Sequence, residues 1–114
     1  MRCGVDMVEI DRIKHCCDRP SFLNKIFTEQ EREFFSTLKN PYPSIAANFA
    51  VKEALVKALG TGFRQIFPSD ISVLRDSLGA PYILSANPNI QLPSAAVSIT
   101  HTDQLATAFV IIEE

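Results

Sequence analysis

The sequence predicts an α+β fold, with helices packed on a small antiparallel sheet around one long central helix. Three observations point there. Residues 44–59 are rich in Ala and Leu, strong helix formers, and Gly60 follows the last apolar residue, where a capping glycine is usual. The apolar runs 71–74 and 81–84 flank the turn Asp76-Ser77-Leu78-Gly79, and 95–101 and 105–112 flank Thr102-Asp103-Gln104, so each pair reads as a hairpin. Residues 2–9 begin by alternating apolar and polar side chains, as a strand does. The 114 residues suit one domain, 1–114, and a hydrophobic content of 46% is enough for a core.

In the first strand Val5 and Met7 face one way, and Asp6 faces the other with Gly4 and Val8. An Asp inside an apolar strand is either a turn residue satisfied by backbone N–H groups or a metal ligand. Asp11 is expected to N-cap a helix through Cys17. That stretch carries Arg12, Lys14 and Arg19, and Lys25 follows: a solvated basic face, or a docking surface for an acidic partner. Pro20 breaks the helix, and Ser21 to Ile26 forms a short one with Phe22, Leu23 and Ile26 inward. Thr28-Glu29-Gln30-Glu31 is a capping-box pattern that opens a helix to about Leu38, anchored by Phe34 and Phe35. Lys39 to Ser44, with Pro41 and Pro43, reads as a loop.

In the central helix Glu53 falls among Ala46, Phe49 and Ala50, at about 100° per residue. Lys57 lies one turn on, at the spacing where a Glu and a Lys can meet. The pair is either a surface ion pair or part of a site. Two glycines around Thr61 let backbone N–H groups approach a phosphate, or they only end the helix. Residues 63–69 and 85–93 read as loops, the second with room for one helical turn. His101 ends a strand before a tight turn, as a plain turn residue, a phosphate contact or a proton carrier. The small and apolar residues of 105–112 suit a buried central strand or an oligomer seam.

A net charge of −2 argues against a nucleic-acid binder that relies on a strong positive field. No apolar run approaches the ~18 residues of a membrane helix, and no signal-peptide pattern opens the chain. Cys3, Cys16 and Cys17 form neither a disulfide framework nor a zinc spacing, and read as reduced thiols in a cytoplasmic protein.

Three segments carry a resemblance. Residues 4–13, Gly4-Val5-Asp6-Met7-Val8-Glu9-Ile10-Asp11-Arg12-Ile13, resemble the signature G-[IV]-D-[IL]-x-E-[IV]-x-R-[IF]. Residues 49–62, from Phe49-Ala50-Val51-Lys52-Glu53-Ala54 to Gly60-Thr61-Gly62, resemble F-A-[AV]-K-E-A-x-x-K-A-x-G-T-G. Val97-Ser98-Ile99-Thr100-His101 resembles V-S-[IL]-[ST]-H. Together, in order and over nearly the whole chain, they are similar to the holo-acyl-carrier-protein synthases, the short 4′-phosphopantetheinyl transferases.

The resemblance implies transfer of the 4′-phosphopantetheine arm of coenzyme A to a serine of an apo acyl carrier protein, with 3′,5′-ADP released. It implies Mg²⁺ on Asp6 and Glu53, catalysis by Asp6, Glu53 and Lys57, a homotrimer with a site at each subunit interface, and a role in fatty-acid or related biosynthesis. It assigns coenzyme A to Asn48, Lys52, Lys57, Gly60, Thr61, Gly62, His101 and Thr102, and the carrier to Arg12, Lys14, Arg19 and Lys25. Two positions depart from the pattern: Asn48 stands where Arg is common, and Ala80 where G-[KR]-P has a base. Asn48 motivates a competing reading as a coenzyme A or carrier binder with poor turnover. A third reading is a Mg²⁺-dependent hydrolase that directs water at the same phosphorus.

Overall fold

The computed structural model describes residues 1–62 and 65–113. The chain runs β1 (Arg2–Glu9), α1 (Ile10–Cys16), α2 (Pro20–Ile26), α3 (Glu29–Ser36), α4 (Tyr42–Leu59), β2 (Ile71–Arg75), β3 (Pro81–Ser85), β4 (Ala95–His101) and β5 (Leu105–Ile112). β5 is central in an antiparallel sheet of order β1-β5-β4, and β2 pairs with β3 as a separate hairpin. The last strand is therefore the buried central one. Its inward residues Ala106, Ala108, Val110 and Ile112 are fully enclosed, and α4 lies across them.

The capping box forms as expected, with Thr28 Oγ1 accepting from Glu31 N and Glu31 Oε1 accepting from Thr28 N. α4 ends where Gly60 turns left-handed, at φ 76°. Other boundaries differ. α1 starts at Ile10 with Glu9 at the cap, so Asp11 sits in the first turn. There its carboxylate complements the helix dipole rather than capping it. α4 starts at Tyr42, not Ser44, because a proline in the first turn needs no N–H partner and Pro43 continues the helix. Ser85 ends β3, so the expected loop starts at 86, and residues 86–93 form bends and a turn without a helix.

One close approach sets the geometry of the whole molecule. A Cβ on Gly4 would fall inside the Ala54 carbonyl oxygen and 2.9 Å from Ala58 N. Only glycine lets β1 lie this near to α4. A second cluster, Ile10, Ile13, Phe27, Phe35 and Ile45, fastens α1–α3 to the first half of α4. Burying a ring such as Phe27 contributes about 1.5–3 kcal/mol. Among the described residues no helix covers the outward face of the sheet: Val5, Met7 and Phe109 are 52%, 61% and 41% exposed.

Candidate active site

β1 alternates, so Asp6 points with Gly4 towards α4. The tight Gly4 contact brings its carboxylate to the helix face that carries Glu53 and Lys57. Asp6, Met7 and Val8 of β1, Arg12, Ile13 and Cys16 of α1, Phe22 of α2, and Phe49 and Glu53 of α4 line one cavity of about 290 Å³. A larger groove of about 560 Å³, between α3 and the β2–β3 hairpin, contains neither acid.

Lys57 Nζ donates to Asp6 Oδ1 at 3.1 Å and to the Val5 carbonyl at 3.0 Å. The expected meeting of Glu53 with Lys57 along the helix is thus replaced by a contact across to the strand. Asp6 Oδ2 is buried with no hydrogen-bond partner. Partial burial holds the Glu53 carboxyl above the usual glutamate range; the Asp6 charge adds to this and Lys57 opposes it. Two acids lining one cavity, one of them with an idle buried oxygen, suit a hard divalent cation. Among the described residues no three His, Cys, Asp or Glu converge on a metal position. A two-carboxylate site fits an ion that keeps waters and takes substrate oxygens.

Asn48 and Lys52, expected on coenzyme A, are corrections. They are 0% and 1% exposed. Lys52 Nζ donates to Glu31 Oε1 at 2.6 Å, Ile26 O at 2.8 Å and Pro68 O at 2.9 Å. Asn48 Nδ2 donates to Glu31 Oε2 and Val73 O, both at 2.9 Å, and its Oδ1 accepts from Arg75 at 2.9 Å. All three protons of the ammonium are used inside the protein, which leaves nothing for a ligand. The departure at Asn48 therefore lies in the core and removes the motive for the weak-turnover reading. Glu31 and Arg75 went unrecognised as parts of this network. The available signal was a lysine in a helix that is mostly apolar, which demands a buried acid.

The remaining candidates divide into two groups. Gly60 abuts the Arg2 guanidinium, Thr61 Oγ1 donates to Gly62 O at 3.1 Å, and Gly62 is exposed. His101 and Thr102 line a separate groove of about 180 Å³ with Asp11, Lys14 and Tyr42. His101 pairs with Ala106, which pairs with Val8. Six residues of strand, about 20 Å, separate that level from Arg2. One chain does not bring the two groups together. Of the basic residues, Arg12 reaches the Asp6–Glu53 cavity, Lys14 lies 5.2 Å over the Tyr42 ring, and Arg19 and Lys25 are exposed.

The family model of the 4′-phosphopantetheinyl transferase superfamily matches residues 2–110. The chain belongs to this superfamily. A holo-[acyl-carrier-protein] synthase of Lachnoclostridium phytofermentans is 48% identical, over 95% of this chain and 91% of its own. One from Clostridium botulinum (strain Alaska E43 / Type E3) is 43% identical, over 96% and 94%. The crystal structure of the Neisseria meningitidis synthase superposes with a TM-score of 0.88 at 28% identity, covering 99% of this chain and 98% of that one. The Bacillus anthracis synthase, solved in complex with CoA (3′,5′-ADP), gives 0.84 at 33% identity, covering 97% and 94%. Within the superfamily the chain is thereby grouped with the holo-[acyl-carrier-protein] synthases.

Proposed function

We propose that this chain, as one domain over 1–114, transfers 4′-phosphopantetheine from coenzyme A to a serine hydroxyl of an apo acyl carrier protein. 3′,5′-ADP is the leaving group. The observation that carries the reading is the idle buried oxygen of Asp6 in the cavity shared with Glu53. Asp6 Oδ2 and Glu53 would hold Mg²⁺, which when bound neutralises diphosphate charge. Lys57 orients Asp6 through Oδ1 and adds positive charge beside it. Glu53 would accept the serine proton as the hydroxyl oxygen bonds to phosphorus. Arg12 at the cavity, with Lys14, Arg19 and Lys25, offers the positive surface that an acidic carrier helix needs.

The assembly we infer is a homotrimer. Its support is the uncovered apolar sheet face of Val5, Met7 and Phe109. Further support is the separation of Gly60–Gly62, beside the Arg2 guanidinium, from His101–Thr102, at the Val8 level of the sheet, two groups that a second copy can close around one coenzyme A. Among the described residues no helix is long and apolar enough to cross a membrane. A cytoplasmic place in fatty-acid or related biosynthesis completes the proposal.

Incubation with coenzyme A, Mg²⁺ and apo carrier protein tests it. The expected result is a carrier mass gain of one phosphopantetheine arm, lost when the cation is chelated. Release of 3′,5′-ADP without any carrier would instead mark a hydrolase.

A further inference from the structure

α4 is apolar over most of its circumference, with Ile45, Ala46, Ala50, Val51, Ala54, Leu55, Val56 and Ala58 all buried. Such a helix lacks the contrast of apolar and polar faces that tells it which side to turn inward. Its only fully enclosed polar residues among those described are Asn48 and Lys52, one turn apart. Both bond the same carboxylate, Lys52 to Oε1 and Asn48 to Oε2 of Glu31. Their other donors reach Ile26 O, Pro68 O and Val73 O, so α2, α3, β2 and the segment before β2 all converge on this face. Turning α4 by one residue would leave a buried ammonium and a buried carboxylate unpaired, an arrangement proteins rarely sustain.

We propose that Asn48 and Lys52, latched by Glu31, are positioning residues that set the rotation of α4 and so aim Glu53 at Asp6. Glu53 follows Lys52 directly, about 100° further round the helix. Lys57 lies five residues on, so both share whatever angle the latch imposes. A misplacement of about 1 Å at a reacting centre costs on the order of a hundredfold in rate. The inference rests on the reading of Asp6 and Glu53 as a divalent-cation site.

The test variant is Glu31→Gln with Lys52→Met. It removes both charges, and Gln keeps the capping bond to Thr28. Exchanging a buried ion pair for uncharged groups of similar volume is often neutral for stability. Manganese is the probe, its binding read by paramagnetic resonance in the presence of coenzyme A, without turnover. The expected result is a folded variant that binds manganese about tenfold to a hundredfold more weakly, the usual size of a supporting-shell effect. Its kcat falls, and its carrier KM stays near wild type. Unchanged manganese affinity in the folded variant overturns the inference. Should the double variant not fold, Asn48→Leu is measured in its place, with the same expected and overturning results. Wild-type protein that binds no manganese overturns the metal reading and this inference with it, so the two failures are told apart.

Discussion

Lys57 holds one oxygen of Asp6 at 3.1 Å, and the other oxygen of that carboxylate is buried with nothing to accept from. The strand residue is oriented by the helix residue and left with one idle oxygen, in a side chain that lines the cavity. Buried polar atoms without partners are rare and call for an explanation. The proposed divalent cation would supply it.

Asp6→Asn keeps the shape and removes the charge. Carrier modification should fall by at least about a hundredfold, the size of losing one strong electrostatic contact to a reacting group. Circular dichroism should remain that of the wild type. Mass spectrometry of the carrier checks the rate, and a near-normal rate at saturating Mg²⁺ would remove Asp6 from the site.

Glu53→Gln should abolish transfer, and it also carries a stability signature in the metal-free protein. The Glu53 carboxyl binds its proton more tightly when folded than when unfolded. The native state therefore holds more protons than the unfolded one between the ordinary glutamate range and the raised value. Stability then falls as pH rises through that window. The variant lacks this loss. Thermal melts should show Glu53→Gln gaining on wild type with rising pH, and a constant difference would contradict the assignment.

Gly4→Ala should destabilise strongly, because the new methyl meets backbone of α4 that has no side chain to move aside. Overpacking costs about 1–3 kcal/mol, and a rigid neighbour puts this site near the top of that range. For a domain of this size that corresponds to a melting point lower by roughly 10–20 °C. A melting point within a few degrees of wild type would show that β1 can stand off from α4.

Arg12→Glu should raise the KM for the carrier far more than that for coenzyme A, since Arg12 is exposed at the rim of the cavity. Steady-state kinetics with each substrate varied in turn decides it. Equal effects on both constants would contradict a docking role.

Val5→Lys places a charge on the uncovered sheet face, opposite Phe109 and clear of the Asp6–Glu53 cavity lining. Light scattering should report a shift from trimer towards monomer, with transfer lost because the two phosphate groups of residues separate. A trimer that survives the charge would place the seam elsewhere.

Much of the fold was legible locally. The capping box at Thr28, the glycine stop at Gly60, both hairpins and the alternation of β1 are short-range patterns, decided by neighbours within a few residues. The two acids were legible as misfits, each a carboxylate in an apolar setting. What stayed hidden needed long-range contacts. Lys52 and Glu53 are adjacent in sequence and look alike as charges on an apolar helix, yet one is sealed in the core and the other lines a cavity.

Residue types and their spacing were enough to specify the elements, the family signature and the candidate acids. Only the packed chain decided which charge on α4 belongs to the core and which to the site. Helix rotation and the Gly4 contact assign those roles, and neither has a local signal, because both depend on segments brought together from 21 to 51 residues away.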